Sequence, residues 1–92
     1  MIQSFKDRDT RRLYDGQRVR AFDGIKKAAA RKLDMFNAAA DLNDLVSPPG
    51  NRLEALAGDR AGQHSVRIND QYRVCFEWTA QGPANVEITD YH

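Results

Sequence analysis

The C-terminal half of the chain holds a glutamate, Glu54, two arginines, Arg67 and Arg73, and a closing pair, Tyr91-His92. A carboxylate and an imidazole have reference pKa values about two units apart, so near pH 7 one is an anion that can take a proton while the other can still donate one. Two guanidiniums suit the stabilisation of charge that builds on phosphoryl oxygens. With no metal ligands among them, these groups fit cleavage of an RNA phosphodiester by the RNA's own 2′-hydroxyl. A base removes the 2′-OH proton and an acid protonates the leaving 5′-oxygen. That chemistry calls on no nucleophilic side chain and no cofactor.

Such a set acts only if strands bring it to one face. After Gly50 the apolar pattern takes a period of two. Leu53–Leu56 reads as a short strand, Gln63–Asn69 as a second, Tyr72–Trp78 as a third and Asn85–Thr89 as a fourth, with Asn69-Asp70-Gln71 as a hairpin tip. Pairing centred on Asp70 sets Val66 opposite Val74, Ile68 opposite Tyr72, and Arg67 opposite Arg73. A slip of one residue would bury both arginines, so this register is strongly favoured. Like charges directly opposed destabilise a sheet, a penalty that is offset when an anion sits between them. The far side of the sheet then presents Glu54, Arg67, Arg73 and Tyr91-His92. Each residue also has a structural reading: Glu54 as an exposed strand carboxylate, the arginines as cross-strand partners of Glu77, Glu87 or Asp90, and Tyr91 as a core-edge aromatic. His64 reads as structural or exposed, and Cys75 lies on the polar face with nothing to mark it as a reactive thiolate.

Before Gly50 the elements are helical. Ile2–Phe5 is a short alternating segment read as a first strand, and Asp7–Asp15 reads as a short helix ended near Gly16. Phe22, Ile25, Ala29, Leu33, Phe36 and Ala40 recur at spacings of three and four, which predicts a long helix with Asp23 capping its start. Leu42, Leu45 and Val46 extend the apolar pattern until Ser47-Pro48-Pro49-Gly50 stops it. The fold class expected is α+β, a small antiparallel sheet with N-terminal helices on one face.

Ninety-two residues make a single domain, 1–92, with one modest core. No apolar run is long enough for a membrane span and no signal-peptide pattern is present, so the chain reads as soluble and cytoplasmic, with no membrane partner. Two histidines and one cysteine argue against a structural zinc site. The net charge of +1 argues against a protein that coats nucleic acid. The distribution is more telling. Residues 1–36 hold ten Lys/Arg against five Asp/Glu, a balance of +5, whereas residues 37–92 hold four Arg against eight Asp/Glu, a balance of −4. The basic half can lie along a phosphate backbone or an acidic partner, or simply be solvated.

The runs Ser47-Pro48-Pro49-Gly50-Asn51-Arg52-Leu53-Glu54, Gly58 to Phe76 and Val86-Glu87-Ile88-Thr89-Asp90-Tyr91-His92, together with the opening Met1–Phe5, resemble HigB-type toxins of the RelE superfamily. The likeness spans nearly the whole chain. It implies a RelE-like fold and a ribosome-dependent endoribonuclease that cuts mRNA in the A site, a metal-independent mRNA interferase. It further implies a neighbouring helix-turn-helix (HigA-type) antitoxin, with which the toxin represses its own operon, meeting operator DNA through the antitoxin. By residue, Glu54 matches a position where some relatives carry a glutamate proposed as general base. Other HigB members have histidine there and a lysine three residues on, where this chain has Ala57. Arg67 and Arg73 match arginines that bind the scissile phosphate, and Tyr91 and His92 match the aromatic and histidine that stack on the nucleotide and donate the proton. Arg8, Arg11, Arg12, Lys26, Lys27 and Arg31 would then grip ribosomal RNA, with affinity that falls as salt rises. Two alternatives remain: a ParE-type toxin of the same fold that poisons gyrase by protein contact, and a weak toxin acting mainly as co-repressor.

Overall fold

The computed structural model describes residues 1–90. Two helices precede a four-stranded antiparallel sheet whose order along the sheet is the order along the chain. Helix α1 spans Arg8–Tyr14 and helix α2 spans Lys26–Ala38; the strands are β1 (Glu54–Ala55), β2 (His64–Arg67), β3 (Tyr72–Thr79) and β4 (Gly82–Asp90). Consecutive antiparallel strands need only short connections. The α+β class expected from the sequence, a small antiparallel sheet preceded by helices, is the one observed.

The β2–β3 hairpin has the expected register: Val66 faces Val74 and Arg67 faces Arg73. Val66, Val74 and Phe76 are fully buried against α2, where Phe36 meets Phe76 edge-on with ring centres 4.6 Å apart. Phe22, Ile25, Ala29, Leu33 and Phe36 supply the helical side of the core. The tip is shaped by Asn69, whose side-chain oxygen accepts from the Gln71 and Tyr72 amides at 2.9 and 2.7 Å. An Asx-type turn of this kind satisfies backbone donors that would otherwise point out of the hairpin.

Several expectations are corrected. The predicted long helix is broken: Arg20–Ile25 forms a 3-10 turn, and α2 begins only at Lys26 with no side-chain cap. Asp23 is unavailable as a cap because Arg18 holds its carboxylate in a two-pronged contact at 2.8 and 3.2 Å. The helix ends at Ala38 as Ala39 turns to an extended conformation, so Ala39 rather than Ala40 is buried. Leu42–Leu45 is a separate 3-10 turn closed by a reciprocal cap between Asp41 and Asp44, which leaves Val46 exposed. Cys75 shares the polar face with Arg73, as expected, yet it is only 1% exposed.

Strand β4 begins three residues earlier than the sequence suggests. Gly82 and Pro83 look like strand breakers, but they pair with Thr79 and Trp78, and proline is tolerated at the start of a strand. Gly82 is required there: its φ is +129°, and a Cβ would meet the Met1 carbonyl oxygen at 2.4 Å. A bulge opposite Phe76 shifts the β3–β4 register, with Asn85 in the left-handed region at φ +51°.

The opening segment runs along the outer edge of β4. Ile2–Phe5 reduces to one parallel bridge, Phe5 to Val86, flanked by hydrogen bonds from Gln3 N–H to the Pro83 carbonyl (2.8 Å), from Val86 N–H to the Ser4 carbonyl (3.0 Å) and from Lys6 N–H to the Val86 carbonyl (3.0 Å). Farther along, Thr10 of α1 takes over. Its buried hydroxyl donates to Asp7 Oδ1 at 2.6 Å and accepts from the Ile88 amide at 3.0 Å. Asp7 also caps α1 through the Thr10 amide. One threonine therefore joins the helix start to the sheet.

Fully buried Asn51 ties α2 to the segment leading into β1. Its amide donates to the carbonyls of Leu45 (3.0 Å) and Ser47 (3.3 Å), and its side-chain oxygen accepts from Lys32. Arg52, in the left-handed region at φ 46°, then redirects the chain towards Glu54.

Candidate active site

Antiparallel pairing places the candidate residues in two adjacent rows. Glu54 on β1 faces Ser65 on β2, Ser65 faces Cys75 on β3, and Cys75 faces Glu87 on β4. The neighbouring row is Arg67, Arg73 and Thr89. Neighbouring strands lie about 4.8 Å apart, so Glu54 and Arg73, two strands apart, meet only through a long side chain. Arg73 spans that gap diagonally across β2. Its Nη1 donates to Ser65 Oγ and its Nη2 forms an ion pair with Glu54 Oε1, each at 3.2 Å. A planar guanidinium makes two such contacts at fixed angles, which a lysine ammonium would not reproduce.

Arg67 faces Arg73 directly and pairs with Asp70 at the hairpin tip. Glu77, Glu87 and Asp90 are the structural partners the sequence offers the arginines. Glu87 instead holds Arg60 at 3.0 Å and Lys6 at 3.9 Å, and Glu77 accepts from the side-chain amide of Asn85. The exposures of the two arginine pairs differ from those of their carboxylates in an informative way. The arginines are 29% and 18% exposed, whereas Asp70 is 98% and Glu54 51% exposed. The cations are partly withdrawn into the face and their partners stand in water, where an ion pair contributes little and exchanges easily.

Cys75 lies beneath this layer. Burial pushes its thiol up, against the opposing pull of Arg60. A protonated, covered thiol is a poor nucleophile. His64 stands on the opposite parity, with its ring 6.0 Å from that of Phe76 and its Nδ1 buried without a partner among the described residues. Among the described residues no group of three or more His, Cys, Asp and Glu is disposed to hold a metal ion.

Tyr91 and His92 lie outside the described residues, directly after the end of β4 at Asp90. The structure thus brings together Glu54, Arg67 and Arg73. The basic residues named from the sequence are all exposed: Arg8, Arg11 and Arg12 on α1, and Lys26, Lys27 and Arg31 on α2. Two cations the sequence reading did not single out, Arg18 and Arg20, line a cleft with Asp9, Arg12, Val19 and Ala21. Their signal was present in the alternation of Arg18, Val19 and Arg20, whose middle residue is buried. Lys32 was also missed. It is half-buried beside Asn51, and its place became visible only when the helix met the Pro48 loop.

Comparison with known proteins gives the family. Residues 3–92 match the family described as RelE-like toxin of type II toxin-antitoxin system HigB. Toxin HigB-1 of Vibrio cholerae serotype O1 is 42% identical over 80 residues, covering 85% of this chain and 84% of that protein. An uncharacterized protein of Haemophilus influenzae is 46% identical over 54 residues, 59% of this chain and 54% of the other. In three dimensions, a chain of the YoeB-YefM complex from Staphylococcus aureus superposes with a TM-score of 0.63 at 17% identity, covering 100% of this chain and 98% of that one, a likeness of fold. No helix among the described residues is long and apolar enough to cross a membrane. With a family match over almost its full length and a close relative of the same kind, the chain belongs to the RelE-like HigB toxins of type II toxin–antitoxin systems.

Proposed function

We propose that this toxin is a ribosome-dependent endoribonuclease that cuts mRNA in the A site. The observation that carries the reading is the pair of opposed, half-withdrawn arginines, Arg67 and Arg73, with Glu54 tied to the second of them. In the proposed reaction the substrate phosphate enters between the guanidiniums and displaces the exposed carboxylates of Asp70 and Glu54. The Glu54 carboxylate, released beside the ribose, takes the 2′-OH proton. The 2′-oxygen bonds to phosphorus, the bond from phosphorus to the 5′-oxygen breaks, and His92 gives its proton to the leaving oxygen. The products are a 2′,3′-cyclic phosphate and a 5′-hydroxyl. Arg67 and Arg73 hold the charge of the pentacoordinate state, and Tyr91 orients the nucleotide. The roles of Tyr91 and His92 rest on the family match, which runs through residue 92. Arg8, Arg11, Arg12, Lys26, Lys27 and Arg31 hold ribosomal RNA. The partner is a helix-turn-helix antitoxin of the HigA type, with which the toxin acts as co-repressor.

Mapping of mRNA 5′ ends with purified ribosomes, and again on naked RNA, tests this directly. Cuts are expected only with ribosomes. His92→Gln is expected to abolish both cleavage and growth arrest while antitoxin binding persists. Growth arrest that survives this substitution would remove the nuclease assignment and favour a gyrase-poisoning toxin.

A further inference from the structure

Beyond the two arginines, a third cation lies against the same hairpin from the other side. Lys32 of α2 lines a groove of about 370 Å³ together with Ala28, Arg31, Met35, Pro48 and Ile68. Ile68 directly follows Arg67, so the groove begins where the arginine row ends. Its floor is apolar and its charged lining residues, Arg31 and Lys32, are both cations; among the described residues no carboxylate lines it. The bond that holds Lys32 runs to the neutral side-chain oxygen of Asn51, a residue fixed in turn by the Leu45 and Ser47 carbonyls. A partly buried ammonium is normally matched by an anion, and here the fold supplies an amide. Burial pulls the Lys32 ammonium below its usual range, with Arg31 and Arg67 adding to the effect. Lys32 thus sits in the field of Arg67, and an anion entering the groove would relieve the crowding of like charge.

We propose that this groove is a nucleotide subsite, in which Lys32 holds an mRNA phosphate adjoining the scissile one while Met35, Pro48 and Ile68 receive the neighbouring base or ribose. The inference rests on the nuclease reading and extends it: the RNA path runs from the Arg67–Arg73 pair past the hairpin to α2. Its size suits one nucleotide, and an apolar surface with a few placed polar groups is the usual make-up of a ligand site. Asn51 acts as a positioning residue, since it holds the lysine without neutralising it.

The test uses programmed ribosomes carrying mRNAs in which single phosphates one or two positions either side of the cut are replaced by neutral methylphosphonates. For one of these positions the wild-type protein is expected to cut about tenfold more slowly, the loss of one charged contact. Lys32→Gln, which can still donate to Asn51, is expected to cut native mRNA about tenfold more slowly and to be indifferent to the methylphosphonate at that position. Lys32→Met provides a second variant, and urea unfolding of both shows that they are folded. If the two changes multiply at every position, Lys32 touches none of these phosphates and the inference fails. Undiminished cleavage combined with weakened antitoxin binding would assign the groove to the protein partner and also overturn it. Failure of the wild-type protein to cut any ribosome-bound mRNA would instead remove the nuclease reading itself.

Discussion

Replacing Arg73 by glutamine separates what this residue does for the fold from what it does for the reaction. Its ion pair with Glu54, a carboxylate half in water, contributes at most about 1 kcal/mol. Its loss also removes a like charge set directly opposite Arg67, which returns about 0.2–1 kcal/mol. Ser65 Oγ, on a fully buried residue, loses a hydrogen bond, at a cost of about 1 kcal/mol. These three effects together come to a destabilisation of about 1 kcal/mol, a fall in Tm of about 4–8 °C for a domain of this size. If the guanidinium stabilises developing charge on the phosphoryl oxygens, its removal slows cleavage by about 10²–10³, or about 2.7–4 kcal/mol. Urea unfolding and single-turnover cleavage on programmed ribosomes measure the two quantities on the same preparation. A rate within threefold of wild type would refute the assignment of Arg73 to the reaction. So would a loss of rate that merely follows the unfolded fraction.

Two further outcomes follow from contacts outside the site. Thr10→Val keeps the shape of a fully buried side chain but strands the Ile88 amide, and is expected to lower stability by about 1–3 kcal/mol; urea unfolding with a change below about 0.5 kcal/mol would contradict the role given to this hydroxyl. Cys75 has a folded-state pKa raised chiefly by burial, so in the unfolded chain its thiol ionises first as pH rises. Its effect is nil at neutral pH, and stability falls as pH climbs from the ordinary thiol value, about 8.5, towards the raised one. Cys75→Ala should show a smaller loss of urea midpoint between pH 7 and 9.5, and equal losses in both proteins would show that the thiol is not held neutral.

The parts of the fold that were legible in the sequence are those set by alternation. The Asp70-centred register followed from parity alone, because one choice buries Val66, Val74 and Phe76 and the other buries Arg67 and Arg73. The same parity brought Glu54 to the arginine face, one strand farther out. What stayed hidden depends on partners distant in sequence. Asp23 is a good cap by residue type, yet Arg18 five residues earlier takes its carboxylate. The sequence starts the last strand at Asn85 because what holds Gly82 and Pro83 in it, the Met1 backbone packed against Gly82 and the Gln3 amide bound to the Pro83 carbonyl, lies some eighty residues away. Cys75 lies on the face that parity assigns it, but its burial, at 1% exposure, depends on what covers that face, which strand parity does not count. The groove at Lys32 is a product of α2, the Pro48 loop and the end of β2 meeting, and no local pattern announces it.

The backbone bonds from Gln3 and Ser4 to Pro83 and Val86, with Thr10 completing the row at Ile88, also set an order of events during folding. These contacts close loops of about eighty residues, whereas the β2–β3 hairpin closes over a few. The entropy of loop closure makes long-range pairing late. Until it occurs, β4 presents bare amides and carbonyls beside the apolar side chains of Val86 and Ile88, a ready template for intermolecular strand pairing. The chain therefore passes its most aggregation-prone moment with the hairpin already built. Self-association on overproduction should originate at the unsealed β4 edge rather than at the arginine face.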